Sequence, residues 1–215
     1  MFGVCDRARG ELLKWVGLGA MLVDHAWRFL GVPLPGAAVV GRFAFPCFVA
    51  AFALQAVGPR ADRAAARAVI GGLAVAPAYV VVVGGWWLDV LVTLGLGLQA
   101  WVCLAWRGWQ RVVAVVLCAA GASVAEYGFV GFVFVLASCA LGTTPGVGSR
   151  QGWLAAWLCA VVALWVCGGG IGFLMGVLLA AVLVDEGPVL PRVRVFYPAY
   201  LAQWPVLVGL KLLGV

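Results

Sequence analysis

Charged residues are scarce in this chain of 215 residues: 10% are Asp, Glu, Lys or Arg, whereas 66% are hydrophobic. Ordinary soluble domains carry about 25% charged residues, so the composition excludes that class and indicates a protein that crosses a membrane several times. Histidine is scarcer still, with a single residue. That histidine and the seven scattered cysteines, which include no CxxC pair, form no ligand cluster, so we predict no metal site.

Long apolar runs make up most of the sequence. They cover residues 12–31, 37–57, 66–84, 86–106, 112–125, 127–142, 153–167, 171–184 and 195–213. A membrane-spanning helix needs about 20 apolar residues, so we expect the first four runs and the last to span, whereas the others are short. The sequence therefore predicts an all-α, polytopic transmembrane helical bundle of about eight or nine membrane segments, some short or broken. No long linker interrupts it, so residues 1–215 are expected to form a single integral-membrane domain in the lipid bilayer.

The basic residues predict the orientation of this bundle. If nine segments cross the membrane and the N-terminus is cytoplasmic, 11 of the 14 Lys and Arg residues lie on the inner side. The outer side then holds only Arg28, Arg42 and Lys211. Cytoplasmic loops are normally enriched in basic residues, so the pattern favours an N-inside, multi-pass protein. The basic residues of these loops account for the net charge of +6. The charge is therefore not a sign of nucleic-acid binding, and we expect no nucleic-acid partner.

The only histidine, His25, lies inside the first apolar run, next to Asp24 and one turn before Arg28. An ionisable side chain inside a span is costly, so it generally marks a functional site. Asp24 and Arg28 are i,i+4 neighbours that can share a helix face. His25 points about 100° away from Asp24, so it needs a partner on another helix.

Other polar residues fall in the outer half of the predicted spans, namely Arg42, Asp89, Thr93, Glu126 and Tyr127. Charges at membrane depth usually face the bundle interior and pair with each other, so we expect one polar cavity that opens outward. Arg42 is the natural counter-ion for Asp24. Glu126 or Asp89 could orient His25.

Each of these residues also has a purely structural interpretation. The side chains of Arg28 and Arg42 could simply extend to the outer lipid headgroups. An ion pair between Asp24 and Arg42 could only fix the register of two helices. Glu126 could cap a broken helix and face water.

Five short motifs resemble those of the TraX family, which includes the conjugative-plasmid TrbP proteins. The first two are Lys14-Trp15 with Met21-Leu22-Val23-Asp24-His25, and Gly41-Arg42-Phe43-Ala44-Phe45-Pro46 with Phe48. The other three are Asp89-Val90-Leu91-Val92-Thr93-Leu94, Glu126-Tyr127-Gly128 and Tyr197-Pro198-Ala199-Tyr200-Leu201. Two positions depart from the family pattern, which usually has Asn at Asp89 and His at Tyr200.

The resemblance implies an enzyme of conjugative pilin maturation in the bacterial inner membrane, with a small hydrophobic pilin as its partner. The reaction described for the family is N-acetylation of the pilin's terminal residue, with acetyl-CoA as donor. We accordingly expect Asp24, His25 and Glu126 to be catalytic. The expected substrate-binding residues are Arg28, Arg42, Asp89, Thr93, Tyr127, Tyr197 and Tyr200. Arg60, Arg63 and Arg67 could hold the phosphates of acetyl-CoA, or could serve only as a positive-inside signal.

The expected chemistry starts from an α-amine, which must lose its proton before it attacks. His25 is the one side chain here that ordinarily titrates near neutrality, so it is the expected base. Asp24 or Glu126 would bind the ammonium or orient the imidazole, and Arg28 or Arg42 would stabilise the developing oxyanion.

Three alternatives stay open. The pilin's own C-terminal end could be the acyl group, which gives a head-to-tail cyclic pilin and needs no cofactor. The Tyr at position 200 favours this alternative somewhat, because a tyrosine hydroxyl does not titrate near neutrality. The chain could instead be a non-catalytic membrane partner of pilin, or a small proton-coupled transporter.

Overall fold

The computed structural model describes residues 4–56, 60–84, 88–143, 147–185 and 196–214. These ranges hold ten α-helices and no strand. The helices are α1 (Val4–Leu30), α2 (Ala37–Gly41), α3 (Ala44–Gln55), α4 (Ala61–Val83), α5 (Val90–Cys103), α6 (Trp109–Ser123), α7 (Gly128–Thr143), α8 (Val147–Leu164), α9 (Gly170–Asp185) and α10 (Phe196–Leu212). One turn of π-helix, Trp165–Gly169, joins α8 to α9. The all-α fold class is therefore confirmed for the described part of the chain.

Each predicted apolar run forms a helix, except that the second forms two, α2 and α3. The lengths differ from the prediction. In the described ranges, two stretches are long and apolar enough to cross a membrane by length and composition, Ala37–Gln55 and Ala61–Val83. Helix α5, expected to be a full span, has 14 residues. That is about 21 Å at about 1.5 Å per residue, shorter than a bilayer core of about 30 Å. The number of crossings stays a prediction.

Local sequence signals set the ends of the helices that form the candidate site. Helix α4 ends at Gly84, whose φ of 80° is left-handed and suits glycine. Helix α5 begins after Asp89, whose carboxylate accepts the Leu91 N–H at 2.8 Å and so caps the first turn. The π-helical turn ends at Gly170, with φ of 54°. These ends are therefore readable from residue type.

Close helix contacts occur at glycines, as expected where small residues let helices approach. A Cβ at Gly95 of α5 would lie 2.7 Å from the Val69 side chain of α4, and one at Gly97 would lie 2.6 Å from Val135 of α7. On the other side of the bundle, Gly17 of α1 packs against Phe48 of α3. These contacts hold α5 and α3 in the middle of the bundle, where their side chains are mostly buried.

The contacts also give the direction of each helix relative to its neighbours. Helices α1 and α10 run parallel, because Trp15 meets Phe196 at 6.4 Å and His25 meets Trp204 at 5.1 Å. By the same reasoning α5 is parallel to α7 and α3 to α9, whereas α3 is antiparallel to α1 and α4 to α5. These relative directions are those of a chain that runs through the bundle nine times, with each run opposite in direction to the one before it. The N-inside orientation of those passes stays a prediction.

Candidate active site

Asp24, the acidic residue of the first motif, lies against helix α2. Asp24 is paired with Arg28, whose Nη2 lies 3.3 Å from Oδ2 and 3.4 Å from Oδ1. Gly41 of α2 packs directly against the Asp24 side chain. The Arg28 side chain stays 40% exposed, so it reaches the carboxylate from the rim of the protein. The predicted sharing of one helix face by these two residues is confirmed.

The predicted pairing of Asp24 with Arg42 is wrong in the described structure, where no ion pair of 4 Å or less joins them. Arg42 follows the last residue of α2, and Gly172 of α9 packs against its Cβ. Arg28 takes the carboxylate because it lies one turn further along the same helix, whereas Arg42 is held between α2 and α9.

Asp89 is buried and accepts hydrogen bonds from two donors. Besides the Leu91 N–H, it accepts the Tyr200 hydroxyl, whose oxygen lies 2.7 Å from Oδ1 and 2.8 Å from Oδ2. Asp89 is 1% exposed and Tyr200 is 0% exposed. The carboxylate is therefore used to hold α10 against the start of α5, and it does not orient His25 as one of our hypotheses required.

Glu126 and Tyr127 form a tight connection between α6 and α7. The Glu126 N–H donates to the Leu88 carbonyl at 2.8 Å, and its own carbonyl accepts the Thr93 hydroxyl. Tyr127 adopts a φ of 67°, which is unusual for a residue other than glycine, and its ring stacks on Phe45 at 3.9 Å. The backbone of Glu126 thus makes the structural contacts, and its carboxylate has no hydrogen bond or ion pair with any described residue.

His25 lies between two aromatic rings. The ring centroids of Phe29 and Trp204 are 5.3 Å and 5.1 Å from that of the imidazole. The side chain is buried, and its Nδ1 atom has no hydrogen-bond partner in the described part of the chain. Gln203 is a close neighbour, but no hydrogen bond with good geometry joins it to the imidazole. No described carboxylate hydrogen-bonds the imidazole, so the prediction that Glu126 or Asp89 orients His25 is wrong.

One cavity of about 40 Å³ joins these groups. Its lining includes six of the residues predicted for the site, namely Asp24, His25, Asp89, Glu126, Tyr127 and Tyr200. One water molecule needs about 10–15 Å³ on this scale, so the space suits about three waters or one amino group with its carbon. The sequence reasoning missed Trp204, which also lines the cavity. It lies four residues after Tyr200, on the same face of α10, and this spacing could have indicated it.

Comparison of the sequence with models of known protein families identifies the family of this chain. A family model described as TraX protein matches residues 9–211. The chain belongs to the TraX family. No curated protein and no solved structure matches it. The TraX family is linked to conjugative pilin processing, and the predicted membership is thereby confirmed.

The two positions at which this TraX chain departs from the family pattern contact each other. Asp89 stands where we expect Asn, Tyr200 stands where we expect His, and the hydroxyl of one bonds to the carboxylate of the other. The five TraX-like motifs all contribute at least one residue to the cavity lining. Residues that are far apart in the sequence are thus brought to one place by the fold.

Other residues predicted for the TraX site lie outside the cavity lining. Thr93 is buried and holds the Glu126 loop, and Tyr197 packs edge-on against Phe196, one turn from Tyr200. Arg60 immediately precedes α4, and Arg63 and Arg67 lie in its first two turns; all three are exposed. Gly72 packs against Val92, so Asp89 is level with a residue about 12 positions beyond Arg63. At about 1.5 Å per residue, Arg60 and Arg63 lie about 20 Å from the level of the cavity along the helix axis, and Arg67 lies about 12 Å from it.

Proposed function

We propose that this TraX-family chain is a membrane enzyme that acylates the N-terminal amine of a processed pilin. The observation that carries the proposal is the composition of the cavity. Three carboxylates lie around it, and two of them already have partners: Asp24 has Arg28, and Asp89 has Tyr200. The Glu126 carboxylate is unpaired among the described residues. An unpaired carboxylate in a space of this size suits an ammonium group.

In this mechanism Glu126 first binds the ammonium of the pilin and then takes its proton. The neutral amine attacks the carbonyl carbon of the acyl group, a C–N bond forms, and the leaving group departs. His25 borders the same cavity and is the second group able to accept a proton. Arg28 is paired with Asp24 of the cavity lining, and its guanidinium is suited to stabilise the oxyanion that forms during the attack.

The proposed location is the bacterial inner membrane, with several crossings and the cavity towards the outer face. The distribution of basic residues supports this orientation. Signal peptidase exposes the new pilin amine on the outer face, which is where the cavity would open. The alternation of helix directions is compatible with such an arrangement.

Acetyl-CoA is the acyl donor that the family implies, and N-acetylation is the first candidate reaction. The residues around the cavity do not fit the cofactor, because about 40 Å³ leaves no space for a nucleotide. Of the arginines suited to its phosphates, Arg60 and Arg63 lie about 20 Å away along α4 and Arg67 lies about 12 Å away. Amine binding and proton acceptance by this chain are the same for any acyl donor.

Head-to-tail cyclisation is the second candidate, because the cavity has no space for a nucleotide and this reaction needs no cofactor. In that reaction the C-terminal carbonyl of the same pilin is the acyl group. The amine displaces water or a C-terminal peptide, and no cofactor is needed.

The intact mass of the pilin, expressed with and without this chain, tests the proposal. A gain of one acetyl group identifies N-acetylation. A loss of one water, or of water plus a tail peptide, identifies cyclisation. An unchanged mass with both proteins in the membrane would contradict the enzyme proposal and leave a non-catalytic pilin partner. A transporter would also leave the pilin mass unchanged.

A further inference from the structure

The aromatic residues of the second TraX-like motif lie in the wall of the polar cavity. Phe45 and Phe48 are one turn apart on α3, and both line the cavity. Each side chain is 1% exposed, so the rings are enclosed by the bundle. Neither ring has a group that takes part in proton transfer, and the proposed reaction does not use them. They do limit the space that is left in the cavity beside Glu126.

The Phe45 ring is held in place by α7. It stacks on Tyr127, with ring centroids 3.9 Å apart and an angle of 5° between the planes, and Phe134 packs on it at 5.9 Å. A Cβ at Gly131 would lie 3.3 Å from Cζ of Phe45 and 2.5 Å from Cβ of Tyr127. The backbone of α7 is therefore packed directly against the stacked pair. Because protein interiors are close-packed, the pair cannot move towards α7 without displacing that helix.

This wall adjoins the group that is proposed to bind the amine. Tyr127 follows Glu126 in the chain, and both line the cavity. In a peptide, the first side chain branches from the Cα atom, which is bonded directly to the amine. An amine bound by Glu126 therefore brings the first side chain of the peptide into the same cavity, beside Phe45 and Tyr127.

The volume of the cavity sets the size of side chain that fits there. About 40 Å³ holds about three waters, or about three heavy atoms of a ligand. The nitrogen and Cα of the first residue take most of this space, and one further carbon fills the rest. Glycine and alanine fit this limit. Valine and leucine exceed it, because each adds further carbons beyond Cβ.

We propose that the stacked pair Phe45–Tyr127 makes this chain selective for a peptide whose first residue is glycine or alanine. The inference rests on the proposed function in taking a peptide amine as the ligand of Glu126. One excess methylene in a pocket of fixed size costs about 10–200-fold in specificity. The selection acts on the amine component, so it applies equally to acetylation and to cyclisation.

Binding of amino-acid amides tests the size limit without requiring any reaction. Glycinamide, alaninamide, valinamide and leucinamide carry the same ammonium and carboxamide groups and differ only in the side chain. The purified full-length chain is unfolded by heat in detergent with each compound, and tryptophan fluorescence gives the unfolding temperature. A ligand that binds the folded state raises this temperature. We expect glycinamide and alaninamide to raise it, and leucinamide at the same concentration to leave it unchanged.

A matched pair of variants assigns the limit to one ring. Phe45→Leu widens the cavity wall, whereas Phe52→Leu makes the same change on the same helix at a residue that is 0% exposed and outside the cavity lining. Only Phe45→Leu should allow leucinamide to stabilise the chain. Equal stabilisation of the wild-type chain by alaninamide and leucinamide, stabilisation by none of the amides, or the same change of preference in both variants would overturn the proposal.

Pilins with a changed first residue extend the test to the membrane. Intact mass distinguishes the precursor, the processed pilin and the modified pilin, so a defect in processing is visible. Relative to alanine, we expect about tenfold less modified pilin with valine and about a hundredfold less with leucine, and partial recovery of the leucine pilin with Phe45→Leu. Equal modification of all three would overturn the size limit and support the enzyme. Size-selective binding of the amides with every processed pilin unmodified would support the size limit and contradict the enzyme.

Discussion

At the scale of single residues, the three carboxylates around the cavity differ in whether they have a partner within the protein. Asp24 and Asp89 are held by partners, whereas Glu126, which also lines the cavity, has a carboxylate that is unpaired in the described structure. A carboxylate with satisfied hydrogen bonds is poorly placed to bind a new ammonium. The Glu126 carboxylate, which has no partner among the described residues, is therefore the one of the three that is best suited to bind a substrate ammonium.

Replacing Glu126 with Gln should abolish modification of the pilin, because an amide keeps the shape but takes no proton. Positioned acid–base groups contribute about 10²–10⁴-fold, so we expect at least a hundredfold loss of product, measured by intact mass after a fixed time. The matched control is Asp62→Asn, which removes an exposed carboxylate from the start of α4. Full activity of Glu126→Gln would refute the role of this carboxylate.

The contact between Tyr200 and Asp89 also makes a quantitative prediction. Tyr200→Phe leaves a buried carboxylate without its hydroxyl donor, so the free energy of unfolding should fall by about 1.5–3 kcal/mol. Tyr197→Phe is the control, because no described residue hydrogen-bonds the Tyr197 hydroxyl. It should change stability by less than about 0.5 kcal/mol. Thermal unfolding in detergent, followed by tryptophan fluorescence, measures both.

The double variant Asp89→Asn with Tyr200→His restores the pair expected from the family pattern. Residues in direct contact are coupled, so the double variant should be more stable than the sum of its single variants predicts, by about 0.5–3 kcal/mol. Strict additivity would mean that the two departures from the pattern are independent.

At the scale of helices, small residues decide how closely α5 approaches its neighbours. A Cβ at Gly95 would lie 2.7 Å from the Val69 side chain and 2.8 Å from its backbone nitrogen, whereas a Cβ at Gly19 meets nothing within 4 Å. The backbone of α4 cannot move aside as a flexible side chain can. The same substitution should therefore have opposite effects at these two helical positions.

Gly95→Ala should destabilise the bundle by about 1–3 kcal/mol through overpacking. Gly19→Ala should be neutral or stabilising by up to about 1 kcal/mol, because alanine favours the helix over glycine. Unfolding of the two variants side by side in one detergent provides the measurement. Equal effects would contradict the close packing of α4 on α5.

At the scale of the whole molecule, the helices alternate in direction, and several are shorter than a bilayer core is thick. Residues at or near the helix ends contact each other on one side of the bundle. The Lys211 ammonium donates to the Val81 and Val82 carbonyls, and the Glu126 N–H donates to the Leu88 carbonyl. We propose that this end faces outward, since the candidate cavity lies near it.

A labelling experiment tests that orientation. In a cysteine-free background, a cysteine at Leu34, between α1 and α2, should react in intact cells with a maleimide that does not cross the inner membrane. A cysteine at Arg107, between α5 and α6, should react only after the membrane is permeabilised. The reverse pattern would place the cavity towards the cytoplasm.

Much of the fold could be predicted from the sequence because its determinants are local. Apolar runs, glycines and a capping Asp89 act within a few residues, so the nine runs became helices close to where the hydropathy placed them. The single domain and the cofactor stay predictions. Span lengths were overestimated for α5, because apolar residues continue past the helix ends into the loops.

The sequence by itself determined the all-α class, the family and the polar residues that gather at the cavity. Only the tertiary structure decided which of them pair. Arg28 took the partner predicted for Arg42, Tyr200 took Asp89, and His25 lies between rings instead of beside a carboxylate. The physical reason is that hydrogen bonds and ion pairs act over about 3–4 Å, so helix packing must first set each distance.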